Sequence, residues 1–118
     1  MKNLIFLIAL FTIGCQNEST YQEQELLGDW NAVSWKDVTN QKTIDAKVSF
    51  NFTADNAYIG NYGNSSEKGK YWIAGDNLHT IEDGKAEKKV KIKKLANDTL
   101  IFEMNRVGTI EEMVLIRN

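Results

Sequence analysis

The sequence predicts an all-β protein, a small eight-stranded antiparallel up-and-down barrel behind a cleaved leader. Three observations predict it. Beyond residue 27, short runs alternating between apolar and polar residues are broken by turn residues about every 8–12 positions, the spacing of a sandwich or barrel. No stretch of comparable length carries a helical period. Beyond the first connection, at residues 37–46, every connection is about six residues or shorter, so each strand can pair with the next and the last with the first, leaving no exposed edge. A Greek-key sandwich would want at least one long connection, and no internal repeat indicates a solenoid or propeller.

Taken in order, residues 1–14 read as the leader: Lys2 is a positive start, an apolar run over residues 4–13 is interrupted by Thr12, and Gly14 precedes Cys15. Ten helical residues rise about 15 Å, half a hydrocarbon core, so a permanent span is not expected. Residues 15–25 form a polar tether, with a helical turn expected over residues 22–27, and the barrel domain covers 26–118. Its first strand is read over residues 28–36. In the second, Val48, Phe50 and Phe52 alternate with Lys47, Ser49 and Asn51, giving one oily and one wet face. Residues 57–62, 68–74, 78–82, 86–95, 99–105 and 109–117 supply the other six. Asp83-Gly84 reads as a type I′ hairpin turn, because both residue types tolerate positive φ.

The formal charge of −2, or −3 once Lys2 leaves with the leader, excludes nucleic acid as the main partner. A single cysteine and no proline exclude a disulfide framework and a cysteine-based metal cluster, so packing must hold the fold. Adjacent Glu111 and Glu112 point to opposite faces of a strand and cannot form a carboxylate pair. No nucleophile elbow, phosphate-binding glycine loop or metal spacing is present. The reading is a non-enzyme with no cofactor and no metal.

Two resemblances add to this. Thr12-Ile13-Gly14-Cys15 resembles the bacterial lipobox, although Thr12 stands where leucine is usual. The resemblance implies a Cys15 that is acylated, by chains such as palmitate, becomes the new N-terminus, and anchors the chain in the cell envelope. The expected address is the outer membrane, on its periplasmic or surface face. Leu27-Gly28-Asp29-Trp30, Gly69-Lys70-Tyr71, Gly75-Asp76-Asn77-Leu78 and a terminal Arg117 are similar to the lipocalin-like domains of bacterial envelope lipoproteins, over residues 26–117. That likeness implies that Trp30 lies across the closed end of the barrel with Arg117 packed over it. A guanidinium over an indole contributes about 0.5–2 kcal/mol, and Gly28 lets the backbone bend there. The family's second motif, around Thr-Asp-Tyr, is not recognisable, and the chain is shorter than a transport lipocalin.

Parity counting directs Trp30, Val48, Phe50, Phe52, Tyr71, Ile73, Val90, Ile92, Leu100, Phe102, Met104, Met113 and Leu115 inward, with His79 and Glu111 sharing that parity. Such a lining suits either a filled interior or one holding a small guest. Tyr71, His79, Phe102 and Met104 are the candidate ligand-binding residues, and a chain this small is expected to hold a pocket below the roughly 300 Å³ of drug-sized ligands. Lys85, Lys88, Lys89, Lys91, Lys93 and Lys94 form a basic run. It reads as a solvated outer strand compensated by Glu82, Glu87 and Glu103, against a ribbon for anionic headgroups or acidic glycans. Asp98-Thr99-Leu100 resembles an Asp-Thr-aliphatic O-glycosylation motif, and a β-turn would expose Thr99. The functional expectation is an envelope-anchored lipocalin-like lipoprotein binding a small apolar or amphipathic ligand. The alternative is a filled barrel whose loops around Asn40, Asn64 and Gly108 bind or inhibit an envelope protein.

Overall fold

The computed structural model describes residues 20–118, so Cys15 and the leader lie outside the described residues. A 3-10 turn at Glu23–Leu26 leads into β1 (Gly28–Asp37), β2 (Lys42–Thr43), β3 (Val48–Phe52), β4 (Ala57–Tyr62), β5 (Ser65–Ala74), β6 (Asn77–Glu82), β7 (Glu87–Ala96), β8 (Thr99–Arg106) and β9 (Thr109–Arg117). Strands β3 to β9 pair in sequence order, and β1 pairs with both β3 and β9. Eight strands therefore close into an antiparallel barrel. The ninth, β2, is a two-residue ladder folding back on the end of β1 through Lys36 and Thr43, and too short to show an alternating pattern. Strand β5 begins at Ser65, earlier than expected, because Ser65 and Ser66 still pair with Tyr62 and Asn61 across a tight turn.

Closure runs from Trp30 opposite Arg117 to Asp37 opposite Glu111, with a bulge between Ala32 and Ser34. The bulge turns Val33 out to solvent, 64% exposed, and changes which face later residues of β1 present. Trp35 consequently points inward beside Met113, where strict alternation from Trp30 would have put it outside. A second bulge between Ile92 and Lys94 does the same for buried Leu95 on β7. The type I′ expectation at Asp83-Gly84 is corrected: of the two, Gly84 alone has positive φ, and the turn is closed by Lys85 N–H donating to the Glu82 carbonyl. Adjacent positive-φ pairs occur instead at Asn97-Asp98 and Val107-Gly108.

The core fills the end of the barrel where β1 begins and β9 finishes. Leu26, Trp30, Leu100 and Leu115 are fully buried there, with Phe52, Tyr71, Ile73 and Ile92 around them. The Trp30 Nε1–H donates to the Leu26 carbonyl at 2.7 Å, and the Arg117 guanidinium lies 4.3 Å from the indole centroid. Arg117 also donates to the carbonyls of Leu27 and Glu25 and, at 2.9 Å, to Asp98. Residues ahead of 26 join this plug. Tyr21 packs on the core, and the Glu23 carboxylate accepts the Ile73 N–H at 2.9 Å.

Candidate ligand-binding site

The opposite end of the barrel is hollow. A cavity of about 560 Å³ lies there, reaching Tyr62 at the end of β4, Lys88 near the start of β7 and Arg106 at the end of β8. Its floor is Phe52, Leu78, Phe102 and Met113, and Phe50, Val90 and Met104 form its apolar flank. Phe50 makes edge contacts with Tyr62 and Phe102, centroids 5.8 and 6.1 Å apart, so a continuous aromatic surface joins floor to mouth. The size exceeds the sequence expectation; Thr80 is a small residue in the lining, and Gly60 yields its side-chain space to the Phe50 ring, which a Cβ there would meet at 2.9 Å. Gly69 cannot be larger: a Cβ there would sit 2.0 Å from the Ile81 carbonyl oxygen.

Polar groups gather on the β4–β7 side of the mouth. Glu67 on β5 accepts a hydrogen bond from the Tyr58 hydroxyl and lies 3.2 Å from Lys88 Nζ on β7. Burial, reinforced by the Glu67 charge, pushes the Tyr58 and Tyr62 hydroxyls well above the ordinary phenol range, so both stay protonated donors. Across the mouth, buried Glu111 accepts the Trp35 Nε1–H at 2.9 Å and pairs with Arg106 at 3.4 Å. Among the described residues no cluster of His, Cys, Asp or Glu is arranged to hold a metal ion, and no helix is long and apolar enough to cross a membrane.

The sequence candidates divide. Phe102 and Met104 line the cavity. Tyr71 points inward but belongs to the plugged end, where its hydroxyl donates to the Thr53 carbonyl at 3.0 Å and its ring meets Phe52 edge-on. The inward placement of His79 is corrected. On β6 the buried residue is Leu78 and Thr80 lines the cavity, so His79 stands on the outer surface. Its ring stacks on Trp72 at 5.2 Å, and Nδ1 lies 2.6 Å from Glu87. Trp35, Tyr58, Tyr62, Glu67 and Lys88 were missed. A bulge hides Trp35, while Glu67 and Lys88 are polar residues at inward positions that an apolar pattern overlooks. In the basic run, Lys85, Lys88 and Lys93 have carboxylate partners: Glu82, Glu67, and the pair Glu103 and Glu112. Thr99, the first residue of β8, is half-buried rather than exposed in a turn.

With this geometry in view, comparison with known families is decisive. The profile described as "Lipocalin-like domain" matches residues 26–102, about two thirds of the chain. The chain belongs to the lipocalin-like domain family. The match begins at Leu26, the residue whose carbonyl receives the Trp30 indole, and ends at Phe102 on the cavity floor. A lipocalin-like barrel is a fold suited to holding a small ligand. No curated protein and no solved structure matches the chain.

Proposed function

We propose that this lipocalin-like protein binds a small apolar or amphipathic molecule in the barrel cavity. One observation carries the reading: an aromatic and methionine-lined hollow of about 560 Å³, opening at the end opposite the Trp30–Arg117 plug. That volume falls within the range of small-molecule sites. The hollow favours this reading over a filled barrel acting through its loops.

The test is binding of an uncharged fluorescent probe, N-phenylnaphthylamine, to the purified protein. Val90 is half-buried in the cavity wall. Val90→Trp should fill the hollow and weaken the probe by at least about tenfold while the circular dichroism spectrum is kept. A wild-type protein that binds no probe overturns the proposal.

The proposal extends to location. The Lys2, apolar run and Gly14-Cys15 order supports a lipid anchor on Cys15, holding the barrel at an envelope membrane. Two or more acyl chains make such anchoring stable, each buried methylene contributing roughly 0.8 kcal/mol. Cys15→Ala should move the protein from the membrane to the soluble fraction. A wild-type protein already soluble refutes the anchor.

A further inference from the structure

The chemistry of the guest's head group is written in the ion pairs of the cavity mouth, an inference that rests on the proposal that a small molecule occupies the barrel. The ionised residues lining the cavity are Glu67, Lys88, Lys89 and Arg106. Three of them are already matched. Glu67, its side chain 10% exposed, pairs with Lys88, and Arg106 pairs with Glu111, whose side chain is 11% exposed. Lys89 pairs in register with outward His79 and neighbours inward-facing Val90, so its ammonium belongs to the outer surface.

We infer that the guest carries an uncharged hydrogen-bonding head, of the hydroxyl class, on its apolar body. A carboxylate head would have to draw Lys88 away from Glu67, whose side chain is 10% exposed, and leave that carboxylate with the Tyr58 hydroxyl but no cation. Taking the cation from a largely desolvated carboxylate is unfavourable because its charge is then uncompensated. An ammonium head could take Glu67 only by returning Lys88, 55% exposed, to solvent, exchanging one ion pair for another with no pairing gained. A hydroxyl makes no such demand. The hydroxyls of Tyr58, Tyr62 and Thr80 line the same wall, and the two phenols stay protonated beside Glu67. They can exchange hydrogen bonds with a neutral head while both ion pairs stay intact.

The experiment displaces bound N-phenylnaphthylamine from the purified protein at neutral pH with decanol, decanoic acid and decylamine. Decanol should displace it at a midpoint at least about tenfold lower than either charged competitor. Equal potency, a charged competitor ahead, or failure of all three to displace a bound probe overturns the neutral head and leaves cavity binding standing. Failure of the probe to bind overturns cavity binding itself. Two variants read the pair directly. Glu67→Gln releases Lys88 and should move the preference toward decanoic acid, and Lys88→Met releases Glu67 and should move it toward decylamine. An unchanged ranking in folded variants removes the pair from the explanation. Should either variant fail to fold, the wild-type ranking decides alone.

Discussion

Replacing Trp30 by Phe keeps a ring in the plug while removing the indole N–H and part of the surface under Arg117. The Leu26 carbonyl, on a fully buried residue, then loses its 2.7 Å donor. An unsatisfied buried acceptor costs about 1–3 kcal/mol. A smaller face 4.3 Å from the guanidinium forfeits part of a contribution of about 0.5–2 kcal/mol. The expected loss is therefore about 1–4 kcal/mol, a large share of the roughly 5–15 kcal/mol that holds a domain together. Urea denaturation followed by circular dichroism should show it as a midpoint lowered by about 0.5–2 M for a slope near 2 kcal/mol/M. Pairing the change with Arg117→Met in a double-mutant cycle should give a coupling of about 0.5–2 kcal/mol. A loss below about 0.5 kcal/mol for Trp30→Phe, or no coupling, would refute the view that this stack and its hydrogen bond close the barrel.

Gly69→Ala should cost about 2–3 kcal/mol or more, since the added Cβ would meet the Ile81 carbonyl at 2.0 Å and Glu82 Cα at 2.8 Å, both backbone atoms of the paired strand. Gly75→Ala, in open space with φ +64°, should cost only the left-handed backbone penalty of about 1–2 kcal/mol, so equal urea midpoints for the two would contradict the close approach. Burial holds the Tyr58, Tyr62 and Tyr71 hydroxyls above the ordinary value of 10.0. Their contribution to stability is full below pH 10 and declines as pH rises beyond it, because the unfolded chain ionises first. In an alkaline titration their tyrosinate absorbance should appear together with loss of the β-sheet dichroism, and ionisation of these three tyrosines near pH 10 in a still-folded barrel would contradict it.

The sequence made the closed end legible because large, regularly alternating side chains do the work there. Trp30, Phe52, Leu100 and Leu115 sit at period-two positions on uninterrupted ladders, and parity alone finds them. Legibility fails wherever the ladder slips. The Ala32/Ser34 bulge conceals Trp35, and the Ile92/Lys94 bulge conceals Leu95, since one extra residue changes the face of all that follows. It fails again on β6, where both Leu78 and the lone histidine offered a plausible inward register. Leucine wins the interior because burying it is favourable outright, whereas His79 outside stacks on Trp72 and keeps Glu87 as a polar partner. The polar wall of the mouth was invisible for a different reason. Glu67 and Lys88 look like ordinary surface residues until the barrel brings β5 and β7 to the same side of one opening.

The two ends of the barrel divide its physical tasks along shared strands. At the closed end, polar groups serve the fold: Arg117 satisfies carbonyls of the turn that plugs the barrel, and Glu23 ties that turn to β5. At the open end Thr80 is small and Phe50, Val90 and Met104 are only half-buried, leaving apolar surface that a filled core would have covered. Phe50 and Phe52 connect the two, stacked at 5.8 Å on one strand, with Phe52 in the core and Phe50 at the cavity wall. A guest that covers Phe50 and Met104 therefore extends the hydrophobic core toward the mouth, and the free energy of removing that surface from water appears as binding. Because the same contacts exist only in the folded barrel, occupancy at a hundred times the dissociation constant adds about 2.7 kcal/mol to folding stability. A domain with so much of its interior left open gains most from being filled.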